Sequence, residues 1–265
     1  MSNNLKGQYQ KHAKIKPSID GFLGLIGFST KIPIKRFTTL EDMSGNVFLW
    51  PYIGALIGVI GAVVAYILDV TLKIPAFMSA TLVYCFLIWF TGYNHIDGIM
   101  DMGDGLMVHG DCEKRLSVMR DSSVGTGGIT TFFIIAAITI AALTSIPAGK
   151  IVAVVIMMEI AAKLAMITTM EFGSTDKKGI GREIKKGMDY KVLTVNLIIA
   201  LIIGYVLLKD IGVIAIFATV IGALYMSKVA QKNFGCVTGD ILGASNEIGR
   251  LVFLVVVVLN LSLMI

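Results

Sequence analysis

Three carboxylates, Asp97, Asp101 and Asp104, fall within eight positions of the stretch GYNHIDGIMDMGDG, residues 92–105, at the end of an apolar run. On a helix turning about 100° per residue they lie within roughly 60° of one another. Left alone, three like charges repel and raise one another's pKa. A divalent cation removes the conflict, and Mg²⁺ favours a few carboxylates plus substrate phosphate oxygens. Asp97, Asp101 and Asp104 are therefore expected to hold Mg²⁺, and Gly98, Gly103 and Gly105 to let a substrate approach the backbone. The plainer reading is a solvated acidic helix end. His95 points away from the acidic face; it could be a general base, a metal ligand or a structural histidine. His12 and His109 have no evident partner.

Further along, RDSSVGTGGI (residues 120–129) places Gly125 and Gly127, with Arg120 and Asp121, ahead of an apolar segment. Exposed N–H groups at a helix N-terminus suit a phosphate, although Gly-rich turns before helices are common. A second polar cluster, FGCVTGDILGASNEIGR (234–250), carries Asp240, Asn246 and Glu247. It either brings one or two more carboxylates to the site, Asp240 as a metal ligand, or is an ordinary polar turn before the last span. Glu159 and Lys163 stand four residues apart inside an apolar run. They are expected to pair with each other; the sharper alternative puts Lys163 under a substrate phosphate.

These residues must be positioned by membrane helices. The chain has 265 residues, 55% of them hydrophobic, and a mean hydropathy of +0.80, above the roughly 45–50% apolar usage of soluble domains. Seven spans are expected, near 47–68, 76–94, 129–148, 151–172, 192–208, 211–227 and 248–265, each close to the about 20 residues that cross a bilayer. The segment 19–30 is too short to cross and is expected to lie at the interface or re-enter. Residues 1–18 read as a basic tail, without the features of a cleaved leader, and 19–265 as a single membrane-embedded domain. The connections alternate in basic residues, nineteen on one side and three on the other, with Lys163 inside a span. That asymmetry predicts a cytoplasmic N-terminus, an external C-terminus and function on the cytoplasmic face. It also explains the net charge of +5 without a nucleic-acid partner. Three cysteines, none in a CxxC pair, argue against a disulfide framework or a zinc site. The fold class expected is all-α and polytopic.

Several segments, in order, resemble the cobalamin synthase (adenosylcobinamide-GDP ribazoletransferase) family. FSTKIPIKRF (28–37) is similar to its N-terminal Phe-x-Thr-Arg-Leu-Pro element, and TGYNHIDGIMDMGDG to its His-Leu-Asp-Gly signature with two further Asp. RLSVMRDSSVGTGG and GCVTGDILGASNEIGRLVFL match two more blocks, so the likeness covers about residues 20–260. The chain departs at Ile96, Ile99 and Met100, at Ser123 where an Arg is usual, and at Ala162–Lys163 where a Ser-Arg pair is usual. The resemblance implies a Mg²⁺-dependent membrane enzyme of the plasma or inner membrane that works from the cytoplasmic face. Its substrates would be adenosylcobinamide-GDP and α-ribazole or its 5′-phosphate, with GMP released. It implies His95, Asp97, Asp101 and Asp104 as catalytic, and Asp97, Asp101, Asp104 and Asp240 as metal ligands. Lys31, Arg120, Asp121, Gly125, Gly127, Lys163, Asn246 and Glu247 would bind substrate. Besides the lipid bilayer, a second copy of the chain or other cobamide-pathway enzymes could be partners.

Two other classes compete. CDP-alcohol phosphotransferases also place Asp-Gly and further Asp at a span end, but their signature needs Ala-Arg where Met100-Asp101 stands. An ion-coupled transporter would carry its acids near the bilayer midplane, often in related halves, and no internal repeat is visible here.

Overall fold

A computed structural model describes residues 16–175 and 179–263. The expected basic tail, apart from its last residues, lies outside them, as do His12, Lys177, Lys178 and the final two residues. Within the described residues the chain is helical, with no strand beyond one isolated bridge between Thr175 and Val237. The helices are α1 (Ile19–Ser29), α2 (Leu40–Ser44), α3 (Trp50–Tyr66), α4 (Ala76–Phe90), α5 (Asn94–Met107), α6 (Cys112–Met119), α7 (Thr126–Thr144), α8 (Ala148–Phe172), α9 (Ile180–Lys185), α10 (Tyr190–Leu208), α11 (Asp210–Phe234) and α12 (Gly239–Ser262).

Among the described residues, six helical stretches are long and apolar enough to cross a membrane: Val47–Thr71, which contains α3, and α7, α8, α10, α11 and α12. The bent pair α4 and α5 brings the number to seven. The molecule is a multi-pass membrane protein. The second expected span, 76–94, is the one that changes. Its helix stops at Phe90 and the chain turns by 94° into α5. Gly92 and Tyr93 take positive φ at the turn, 79° and 68°, a conformation that costs a non-glycine residue energy. The span that feeds the acidic stretch therefore breaks just before it. The last span also changes: it begins at Gly239, not near 248, so the second polar cluster lies within a helix. The short apolar segment forms α1, whose Ser29 Oγ accepts from Trp50 Nε1 at 3.2 Å.

Helix ends follow local chemistry. Thr39 and Asp42 form a capping box at α2, Asp189 caps α10 and Thr238 caps α12, each giving a side-chain oxygen to otherwise unpaired N–H groups. Pro75 and Pro147 precede α4 and α8. The bundle is built around α8, buried along most of its length, while α7 and α10 leave broad apolar faces outward. Helix α3 lies directly on α8, and two of its three glycines permit the close approach. A Cβ at Gly54 would stand 2.5 Å from the Glu159 carbonyl oxygen, and one at Gly58 2.8 Å from the Ile156 Cα. Without a hydrophobic drive between helices in lipid, such close backbone packing carries the association.

Candidate active site

The acidic residues sit on α5, which is wedged between α12 and α7. Gly98 meets α12 so closely that a Cβ would lie 2.3 Å from the Asp240 carbonyl oxygen. On the other side a Cβ at Gly103 would lie 2.6 Å from Thr131 Oγ1 and 2.9 Å from the Gly127 carbonyl oxygen. A Cβ at Gly105 would meet Met119 and Phe234 at 2.8 Å. These glycines were expected to admit a substrate; they instead admit neighbouring helices. The wedge brings Asp97 and Asp101 of α5 beside Asp240 of α12.

Asp97 is exposed, whereas Asp101, Asp104 and Asp240 are half-buried. The charges of Asp97, Asp240 and Asp104 all act on the half-buried Asp101. The α5–α12 seam thus carries the concentrated negative charge read from the sequence, with Asp240 added from across the bundle. Among the described residues, no three His, Cys, Asp or Glu side chains converge as a ready cage for an ion. The donors are nonetheless hard carboxylate oxygens, and their mutual repulsion is the conflict that a cation relieves. Such a set fits a Mg²⁺ that draws its remaining oxygens from substrate and water.

Asp104 has a different task. Its Oδ2 accepts the Gly125 N–H at 2.7 Å and its Oδ1 the Gly128 N–H at 2.8 Å. The Gly-rich loop does present an anion-binding helix N-terminus, as its composition suggested, but the protein's own carboxylate occupies it. Gly125 and Gly127 therefore stand against Asp104. Asp121 accepts the Ser123 N–H in an exposed turn, which holds its carboxyl below the usual range. Arg120 ends α6 and is close enough for its charge to act on Asp240. Lys31 sits over two aromatic rings at the bend, 4.6 Å from the Tyr93 centroid and 5.1 Å from that of Trp89. Its backbone N–H donates to the Phe90 carbonyl at 2.8 Å, tying the 28–37 element to the turn before α5.

Lys163, Asn246 and Glu247 are enclosed between α5, α8 and α12, at most 1% exposed. The structure does not bring them to the open face of the site. The expected Glu159–Lys163 pair is replaced by another. Glu159 takes both branches of Arg250, at 2.6 Å from Nε and 3.0 Å from Nη2. A guanidinium matches both carboxylate oxygens at once, which an ammonium cannot. Arg250 also reaches Glu247 at 2.6 Å, and Tyr84 donates to the other Glu247 oxygen at 3.1 Å. Lys163 turns to Asn246 Oδ1 at 2.8 Å and His95 Nε2 at 3.1 Å. Arg250 and Tyr84 were missed. The signal for Arg250 was its place three residues after Glu247, hidden by starting the last span too late; Tyr84, in an unbroken apolar run, gave none.

Fold and site together define a multi-pass membrane protein with carboxylates gathered along one helix seam. The comparisons narrow the class. Residues 21–258 match the family model for cobalamin-5-phosphate synthase, and the chain belongs to that family. It is 29% identical over 256 residues to the adenosylcobinamide-GDP ribazoletransferase of Methanosarcina mazei, covering 89% of this chain and 91% of that one. It is 30% identical to the protein of that name from Picrophilus torridus, covering 92% and 100%. With that of Clostridium acetobutylicum it shares 32% identity, covering 88% and 93%. No solved structure matches the chain.

Proposed function

We propose that the chain is an adenosylcobinamide-GDP ribazoletransferase. It transfers the adenosylcobinamide-phosphate moiety of adenosylcobinamide-GDP to α-ribazole or α-ribazole-5′-phosphate, releasing GMP and forming adenosylcobalamin or its 5′-phosphate. The observation that carries the reading is the family match across nearly the whole chain, within which the α5 and α12 acids stand side by side. In the reaction a ribose hydroxyl oxygen forms a bond to the phosphorus bearing the corrinoid. The pyrophosphate bridge to GMP breaks, and its electron pair leaves with GMP.

Such a transfer depends on in-line positioning and on neutralising the bridging and leaving oxygens. Mg²⁺, held by Asp97, Asp101 and Asp240, would supply that neutralising charge when bound. The proton of the attacking hydroxyl passes to a carboxylate oxygen of the seam that the cation leaves free, or to water. Asp104 keeps the 120–128 loop folded against α5 and so shapes the wall of the site. The Lys31 element braces the bend that aims α5. The basic asymmetry of the loops supports a site facing the cytoplasm of the cell membrane, from which both bulky, polar substrates arrive.

The test uses purified protein in detergent with adenosylcobinamide-GDP, each ribazole form and Mg²⁺, following GMP. Metal-dependent GMP release, stopped by EDTA and accompanied by a cobamide product, is expected. Folded protein that yields no product with either acceptor would overturn the reading.

A further inference from the structure

One buried nitrogen in the site region lacks a partner. His95, on α5, is 7% exposed; its Nε2 lies 3.1 Å from Lys163 Nζ, while its Nδ1 is buried without a hydrogen bond. Where its proton sits follows from its neighbours. Lys163 Nζ has two further acceptors, Asn246 Oδ1 at 2.8 Å and Met166 Sδ at 3.8 Å. The Asn246 amide is oriented by α12, because its Nδ2 donates to Glu247 Oε1 at 3.1 Å. Its oxygen is thereby turned to Lys163.

An ammonium carries three donors and no acceptor; around Lys163 stand two acceptors, an amide oxygen and a thioether sulfur, and an imidazole nitrogen that can serve as the third. Charge balance agrees. Glu159 and Glu247 oppose Arg250 and Lys163, so a protonated Lys163 makes the buried set neutral. A neutral amine would leave an uncompensated carboxylate in a low-dielectric interior, which is costly. With Lys163 as donor, His95 Nε2 accepts, and the imidazole proton belongs on Nδ1. The orphan is therefore an N–H donor, fixed by the bond at the other ring nitrogen.

A cavity of about 40 Å³ lies against His95, its lining mostly apolar (Phe28, Trp50, Met166, Ile184 and Leu242), with Asn94, Gly239 and Gly243 completing it. Roughly 10–15 Å³ is enough for one water. Asn94 and Gly239 place it next to the seam where Asp97 and Asp240 meet. A Cβ at Gly243 would stand 3.2 Å from the His95 Cα, so α12 packs directly on α5 beside the cavity.

We propose that His95 is a hydrogen-bond donor of the active site, acting through Nδ1–H on an oxygen acceptor in this cavity, and that Lys163 is the positioning residue that holds the tautomer. In the resting protein the acceptor is water; in the complex it is a phosphoryl oxygen, where a fixed donor stabilises developing charge. His95 is then neither general base nor metal ligand: Lys163 occupies one nitrogen and a proton the other. The phosphoryl half rests on the proposed reaction; the tautomer does not.

The first measurement is ¹⁵N NMR of histidine-labelled protein in detergent without substrate, the His95 signals identified by their loss in His95→Asn. The Nδ1–H tautomer is expected, and Lys163→Met should release it to a mixture; an Nε2–H tautomer in the unmodified protein overturns the proposal. Adding adenosylcobinamide-GDP alone should shift the Nδ1 signal; an unchanged signal restricts the acceptor to water and overturns the phosphoryl half. Kinetics separate the roles further. An Asn amide nitrogen falls near the Nδ1 position and a Gln nitrogen near Nε2. His95→Asn should stay within about tenfold of the parent kcat, while His95→Gln loses on the order of a hundredfold. Equal loss in two variants with unchanged thermal transitions would overturn the donor role. Should the unmodified protein make no GMP, the reaction reading fails and the tautomer alone decides.

Discussion

At the scale of single residues the four aspartates have separable duties. Asp104 spends both oxygens on the N–H groups of Gly125 and Gly128. Asp104→Ala should therefore lower stability by about 1 kcal/mol or more, the cost of stranding two part-buried donors, and reduce activity through a loosened loop. Asp97 is exposed and carries no such duty. Asp97→Ala should abolish GMP release while the melting temperature in detergent stays put; full turnover would remove Asp97 from the chemistry. Arg250 gives the opposite signature. It balances Glu159 and Glu247 with no exposure at all. Arg250→Met strands both carboxylates, and a loss of about 3–5 kcal/mol is expected, read as a lower unfolding midpoint before any assay of activity.

At the scale of elements the close seat of α5 is the sensitive feature. Gly98→Ala would drive a methyl group into the Asp240 backbone and separate Asp97 and Asp101 from Asp240. Activity should fall at least tenfold while the protein still inserts and the α8 core stays packed; a fully active variant would show that the seam is not needed. Apolar runs located the spans because bilayer thickness sets their length, and period placed the three aspartates on one helix face. Other features escaped for physical reasons. The break after Phe90 depends on φ angles that no apolar run reports. Glycines near carboxylates look the same in sequence whether they admit a ligand or a helix. The partner of Glu159 was decided by the rotation of α12 against α8, a tertiary fact, so the nearest charge in sequence misled. Asp104 and the Gly-rich loop were both legible as pieces, but not that one would fill the other.

For the whole molecule, the loops set the orientation. Arg250 belongs to the buried network rather than to a loop, yet removing it leaves the basic excess on one side almost unchanged, because Lys and Arg still crowd the connections around α1, α6 and α9. That excess is the ground for the proposal that the acidic seam faces the cytoplasm. A measurement follows from exposed positions on the two sides. Single cysteines at Ser117, on α6, and at Lys73, between α3 and α4, placed in a chain with Cys85, Cys112 and Cys236 replaced, should respond oppositely to a membrane-impermeant thiol reagent. In intact cells the position at 73 should label and that at 117 should not; in inverted vesicles the pattern should reverse. Labelling of 117 from outside would turn the protein over, and with it the proposal that the reaction draws on cytoplasmic substrates.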